Sequence, residues 1–154
     1  MASTRLVVFE LNGAEYAVDA LAVNGILRSK KFTIKKIPGL PKVIEGMINL
    51  RGRITYIFNL KSKFELLEDK LGEESKIIIL NIEDSIAGCI VDEVTDIVKI
   101  EEENLQIPPN FISDFNSRYI QSIVKVGERL IIVLDPNALL STEEQSAVSS
   151  KSAV

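Results

Sequence analysis

The residues of this chain equipped for chemistry are its carboxylates, one thiol and two closely spaced arginines. Asp92, Glu93 and Asp96 in "DEVTD" form a dense acidic group, followed by "IEEEN" at residues 100–104. Carboxylates do acid–base work when two are held close in environments that split their pKa values. Strand alternation puts Asp92 and Asp96 on one face and Glu93 on the other, and the spacing marks no such divided pair. "IEEEN" lacks the alternating oxygen donors and the turn glycine of a calcium loop. The absence of histidine removes the commonest general base, the Ser-His and Cys-His pairs, most zinc sites and any phospho-accepting histidine. None of the eight glycines falls in GxxxxGK[ST] or GxGxxG spacing, so no phosphate cradle is visible. No catalytic residue, metal site or cofactor is expected. Cys89, alone in the chain and set in "AGCIV", reads as a small buried hydrophobe and fits a reducing compartment.

The arginines lie in "GMINLRGRITYIFNL", residues 46–60, where Asn49, Arg51, Gly52 and Arg53 interrupt an otherwise apolar run. "MINL" and "RITYIFNL" read as two strands joined by a tight turn, with Gly52 supplying a backbone conformation that other residues resist. Arg51 and Arg53 are then displayed at its tip. A charged turn set in an apolar rim suits a protein-binding surface in which arginine is an anchor.

The elements that must carry this turn are strands. "RLVVFELNG", "KIIILNIED", "DIVKIEE" and "RLIIVLD" are short, rich in Val, Ile and Leu, and bounded by turn formers. Helical signals are confined to "FNLKSKFELLEDKLG", ending at Gly72, and "DPNALLSTEEQ", opening at Pro136. An internal repeat is present: Val7, Phe9 and Leu11 match Ile78, Leu80 and Ile82; Val23 and Ile26 match Val94 and Ile97. Pro38 matches Pro109, Gly52 matches Gly127, and Ile57 and Asn59 match Val133 and Asp135. The reading is a mainly β protein of two five-stranded units, residues 5–66 and 75–140, the second with a terminal helix. Units this small are expected to curl into barrels and to pack on each other through an apolar interface. The tail, 141–154, is expected to fray.

With 46% hydrophobic residues the chain has ample material for a core, and 18 basic against 22 acidic residues leave a net charge of −4. That balance argues against nucleic acid or anionic lipid as partner. Lys30, Lys31, Lys35 and Lys36 form a local basic run, read as solvated strand ends. No apolar stretch approaches the roughly 18 residues of a membrane span, and no signal-peptide pattern opens the sequence, so a cytoplasmic protein without membrane insertion is expected.

Four segments, "VVFELNGAEYAVDALAVNGIL", "IPGLPKVIEGMINLRGRI", "GCIVDEVTDIVKI" and "RYIQSIVKVGERLIIVLDPNALL", resemble the successive motifs of the CheW family of bacterial chemotaxis coupling proteins. The resemblance spans about Leu6 to Leu140 and treats residues 1–154 as a single CheW-like domain. It implies two SH3-like barrels and a non-catalytic adaptor joining chemoreceptor cytoplasmic tips to the regulatory domain of a histidine kinase, recruited to membrane-associated receptor arrays. The "NLRG" arginine used for coupling falls on Arg51, with Asn49, Leu50 and Gly52 around it. The receptor-facing groove falls on Val23, Gly25 and Ile26, and the junction of the barrels on Val91, Val94 and Ile97. Gly25 stands where many members have glutamate, Tyr56 and Asn59 where "PxxDL" is common, and Ser122 where glycine is usual. The alternative reading is a small β-barrel enzyme or ligand-binding protein using Asp92, Glu93 and Asp96, which requires a pocket with perturbed carboxylates.

Overall fold

The structure, a computed structural model, describes residues 3–66, 72–106 and 118–149. Strands β1 (Ser3–Leu11) and β2 (Ala14–Asp19) form a hairpin, and β3 (Val23–Arg28), β4 (Ile44–Leu50) and β5 (Arg53–Asn59) follow, with a short helix α1 (Leu60–Lys63). The second copy supplies β6 (Lys76–Ile82), β7 (Ser85–Val91), β8 (Glu93–Glu101), β9 (Leu105–Gln106), β10 (Ile120–Val126) and β11 (Arg129–Leu134). Helix α2 (Thr142–Ser149) comes last.

The repeat extends to the register. β1 pairs β2 as β6 pairs β7, and β4 pairs β5 as β10 pairs β11. The parallel pair β11–β2, with Val133 opposite Ala17, corresponds to β5–β7, with Ile57 opposite Gly88. Even the β-bulge recurs: β8 slips against β1 between Val94 and Asp96, and β3 slips against β6 between Val23 and Gly25.

The sheets do not follow the sequence copies. One runs β8-β1-β2-β11-β10-β9 and the other β3-β6-β7-β5-β4, so each copy gives its first hairpin to the other's sheet. The division at 5–66 and 75–140 therefore marks the repeat and not two separate sheets. The crossings are short, three residues (Ala20–Ala22) after β2 and Asp92 alone after β7, which leaves each hairpin no room to fold back on its own copy.

Closure also differs from expectation, because both sheets are open. β3 and β4 do not pair, and the gap is spanned by the isolated bridge Lys35–Met47 and by Phe32 and Ile34, whose side chains fill the space. In the other sheet the two-residue β9 takes the same place. Side-chain packing and a single backbone bridge thus substitute for a closing ladder.

Both faces of β1 and β6 are covered, which explains their unbroken apolar runs. Leu6 and Val8 join Ala17, Val124, Ile131 and Val133 inside the concave face of one sheet; Ile77 and Ile79 join Ile48, Ile57 and Ile90 inside the other. Val7, Phe9 and Leu11 meet Ile78, Leu80 and Ile82 in a third cluster between the sheets, the expected shared interface. Gly88, in the position of Ala17, fits where a Cβ would stand 2.6 Å from Ile57 Cδ1 and 2.7 Å from Ile77 Cγ2.

The tail is a helix as far as Ser149. Ser141 Oγ accepts from the Glu144 N–H while Glu144 Oε1 accepts from the Ser141 N–H, a reciprocal capping box, and Lys63 pairs with Glu144. Val148, 8% exposed, anchors the helix in the inter-sheet core, so burial prevents fraying here. The helix expected at Pro136 is a single 3-10 turn, Pro136–Ala138. Pro109 and residues 67–71 of the expected first helix lie outside the described residues.

Candidate functional site

Leu50 pairs with Arg53, so Arg51 and Gly52 alone turn the chain, with φ of +54° and +83°. Two successive left-handed residues match the twist of the flanking strands and normally call for Asn, Asp or Gly. Arg51 is therefore an arginine in a glycine's conformation, at an expense of about 1–2 kcal/mol. Asn49 Oδ1 accepts the Gly52 N–H at 2.8 Å and holds the turn, while Leu50 packs against the concave core. Arg51 is exposed, and its side chain makes no hydrogen bond or ion pair with the described residues. Ile54 beside it is 67% exposed. The second copy turns at Gly127-Glu128, with Val126 opposite Arg129, so Gly127 is the counterpart of Arg51 and not of Gly52.

On β3, Val23 and Ile26 lie opposite Leu80 and Ile78 and so face the inter-sheet side, whereas Gly25, opposite Ile79, faces the concave core. The bulge separates them. Val23 is half-buried and Ile26 39% exposed. β3 and β4 are opposite edges of their sheet, joined only through the Lys35–Met47 bridge, so the residues of β3 and the arginine turn come from the two margins of the open end. Val91 is fully buried between the sheets with Val94 packed against the same cluster, and Ile97, opposite Val7, is 60% exposed at its margin.

Two of the three carboxylates, Asp92 and Asp96, are held in ion pairs. Asp92 Oδ1 meets Lys61 Nζ at 2.7 Å, and Asp92 Oδ2 accepts the Asn12 N–H at 2.8 Å, tying α1 to the first hairpin. Lys61 is buried, so this pair neutralises a charge in the interior. Asp96 lies 3.1 Å from Arg129, whose Nη2 also meets Glu15 at 2.8 Å. The hydrogen bond from Arg129, aided by one from Thr95 and by the guanidinium charge, holds the Asp96 carboxyl below its usual range; the bonds to Glu15 and Asp96 hold the guanidinium above its own. The bulge reverses the expected alternation: Asp96, opposite Val8, and Glu93, opposite Glu10, share a face, and Asp92 lies apart. No pair in "DEVTD" is left to divide a proton, and the carboxylate-enzyme reading loses its basis. A depression of about 500 Å³ includes Asp19, Asp135 and Asn137, but their side chains cap turns by accepting from Leu21, Asn137 and Glu83 backbone N–H groups. Burial pushes the Cys89 thiol up, as suits a residue in the inter-sheet core. Among the described residues no group of three or more Cys, Asp or Glu is placed to hold a metal ion.

The Arg129 triad was not legible in the sequence, because the bulge at Thr95 that aims Asp96 leaves no local signature. The α2 capping box was legible, in "STEE".

The sequence profile described as the CheW-like domain matches residues 5–144. The chain belongs to the CheW family. It is 36% identical over 145 residues to the chemotaxis protein CheW of Bacillus subtilis, covering 94% of this chain and 92% of that protein. It is 35% identical over 144 residues to that of Treponema pallidum, covering 91% and 84%. The crystal structure of the scaffolding protein TtCheW from Thermoanaerobacter tengcongensis superposes with a TM-score of 0.83 at 30% identity, covering 94% of this chain and 92% of that one. The chain is thus a non-catalytic CheW scaffold of chemotaxis signalling. No helix among its described residues is long and apolar enough to cross a membrane.

Proposed function

We propose that this CheW-family chain couples chemoreceptor cytoplasmic tips to the regulatory domain of a chemotaxis histidine kinase, in the cytoplasm and recruited to membrane-associated arrays. Arg51 is the anchor, held by Asn49, Leu50 and Gly52. The receptor engages Val23, Gly25 and Ile26 on β3, and Val91, Val94 and Ile97 keep the sheets in register behind them. The observation that carries this reading is Arg51 itself: an exposed side chain without a partner among the described residues, in a left-handed conformation its second-copy counterpart fills with glycine. A strained residue kept at a surface turn fits function better than stability. The test is kinase activation in a reconstituted mixture of receptor fragment, kinase and this protein. Arg51→Ala, shown folded by circular dichroism, is expected to bind and activate more weakly; unchanged activation would refute the role of Arg51.

A further inference from the structure

The two copies can be compared position by position at the open ends of their concave cores, and there they diverge. In the β8–β9 sheet, Arg129 lies across Glu15 and Asp96, with four hydrogen bonds between 2.8 and 3.2 Å. All three point from the concave face, since Arg129 alternates with Ile131 and Val133, Glu15 with Ala17, and Asp96 with Val98. The triad caps that core.

The matching registers locate its counterpart in the other sheet. Arg53 follows its turn as Arg129 does, pairing Leu50 as Arg129 pairs Val126. Ile86 lies opposite Asn81 as Glu15 lies opposite Glu10. Gly25 lies opposite Ile79, past the same bulge, as Asp96 lies opposite Val8. The arginine is kept while both carboxylates are replaced, one by an isoleucine 43% exposed and one by a residue without a side chain. Arg53 is exposed, and its side chain makes no hydrogen bond or ion pair with the described residues. The segment that supplies β3, β4 and β5 is itself basic: ten of the chain's 18 basic residues, but only Glu45 and Glu65 of its 22 acidic ones, fall between residues 20 and 66, although Lys61 and Lys63 are paired with Asp92 and Glu144 and the β6–β7 turn of the same sheet adds Glu83 and Asp84.

We infer that this uncapped end, Arg53 with Ile86 and the space over Gly25, docks an acidic protein surface that presents carboxylates to Arg53 beside an apolar side chain for Ile86. The partner completes in trans the cap that Arg129, Glu15 and Asp96 make in cis. Charge complementarity and the internal template both specify that occupant: the same scaffold already shows an arginine at this position taking two carboxylates. Arg53 sets which partner fits, and a partner lacking acidic residues at the contact leaves the guanidinium against apolar surface without a counter-charge. The inference rests on the coupling function proposed above and adds a residue and a partner chemistry to it.

The test measures affinity of the full chain for the kinase regulatory domain and for the receptor cytoplasmic fragment, by calorimetry at two salt concentrations, with sedimentation of the chain alone. Arg53→Glu is expected to weaken binding to one of these by about ten-fold or more, as for a charged anchor at an interface. Lys125→Glu, the same charge change on an exposed residue of the other sheet, is expected to have an effect of about two-fold or less. Ile86→Glu supplies Arg53 with a carboxylate in cis and should lower affinity while keeping or raising the melting temperature, a combination that misfolding does not produce. Wild-type binding that Arg53→Glu leaves unchanged overturns the inference and spares the coupling function. Wild type that binds neither protein removes both. A change confined to self-association makes the occupant a second copy and also overturns it.

Discussion

Replacing Arg51 by glycine should make the protein more stable and less functional at once. A side chain at φ +54° stands about 1–2 kcal/mol above the same residue in an ordinary conformation. Glycine removes that strain but loses about 0.5–1 kcal/mol through the greater freedom of the unfolded chain. The net expectation for Arg51→Gly is a gain of about 0.5–1 kcal/mol, a rise in Tm of about 1–4 °C for a chain of this size. Arg51→Ala keeps the Cβ and the strain, so its stability should stay within about 0.5 kcal/mol of wild type. Both lose the guanidinium and should lose coupling to the same degree. Urea unfolding with an unchanged m-value is the assay, run beside kinase activation. Arg51→Gly no more stable than Arg51→Ala would refute the assignment of strain to this turn. Full activation by either would refute the function assigned to it.

Gly46 and Ser122 occupy the same bulge in the two copies, with opposite consequences. A Cβ on Gly46 would stand 2.3 Å from the Lys35 carbonyl oxygen, so Gly46→Ala must break the Lys35–Met47 bridge and should lower stability by about 2–4 kcal/mol. Ser122 Oγ is buried without a partner among the described residues, and Ser122→Ala should raise stability by about 1 kcal/mol in the same urea titration. Asp96 has a folded pKa below its unfolded one, so its contribution is complete above the ordinary aspartate value near ~4 and is lost as pH falls from there toward the folded value. Asp96→Asn should therefore flatten the acid limb of stability against pH below about 4. Because each sheet needs strands from both copies, fragments 1–71 and 72–154 should each be unfolded by circular dichroism and regain strand signal when mixed; a folded fragment alone would count against the exchange as a requirement for stability.

Much of this was written in local patterns. Runs such as Ile77–Leu80, rich in isoleucine and bounded by turn formers, marked strands, and the matches of Val7 with Ile78 and of Asn59 with Asp135 located the repeat. That last match holds down to the capping role: Asn59 Oδ1 accepts from the Lys61 N–H and Asp135 Oδ1 from the Asn137 N–H. The NLRG turn and the resemblance it carries were likewise local, because a two-residue turn is specified by the residues in it. Tertiary structure decided what local pattern cannot encode. The exchange of hairpins between copies is one case, since a hairpin's own sequence is satisfied equally by either sheet. The bulge at Thr95 is another: one inserted residue turns Asp96 onto the concave face, toward an arginine 33 residues away, and parts it from Asp92. The difference between Arg129 and Arg53 lies wholly at that level. Both are arginines at the start of a strand, and only the residues that other strands bring to the same open end, carboxylates in one sheet and isoleucine and glycine in the other, make one a cap and leave the other open to a partner.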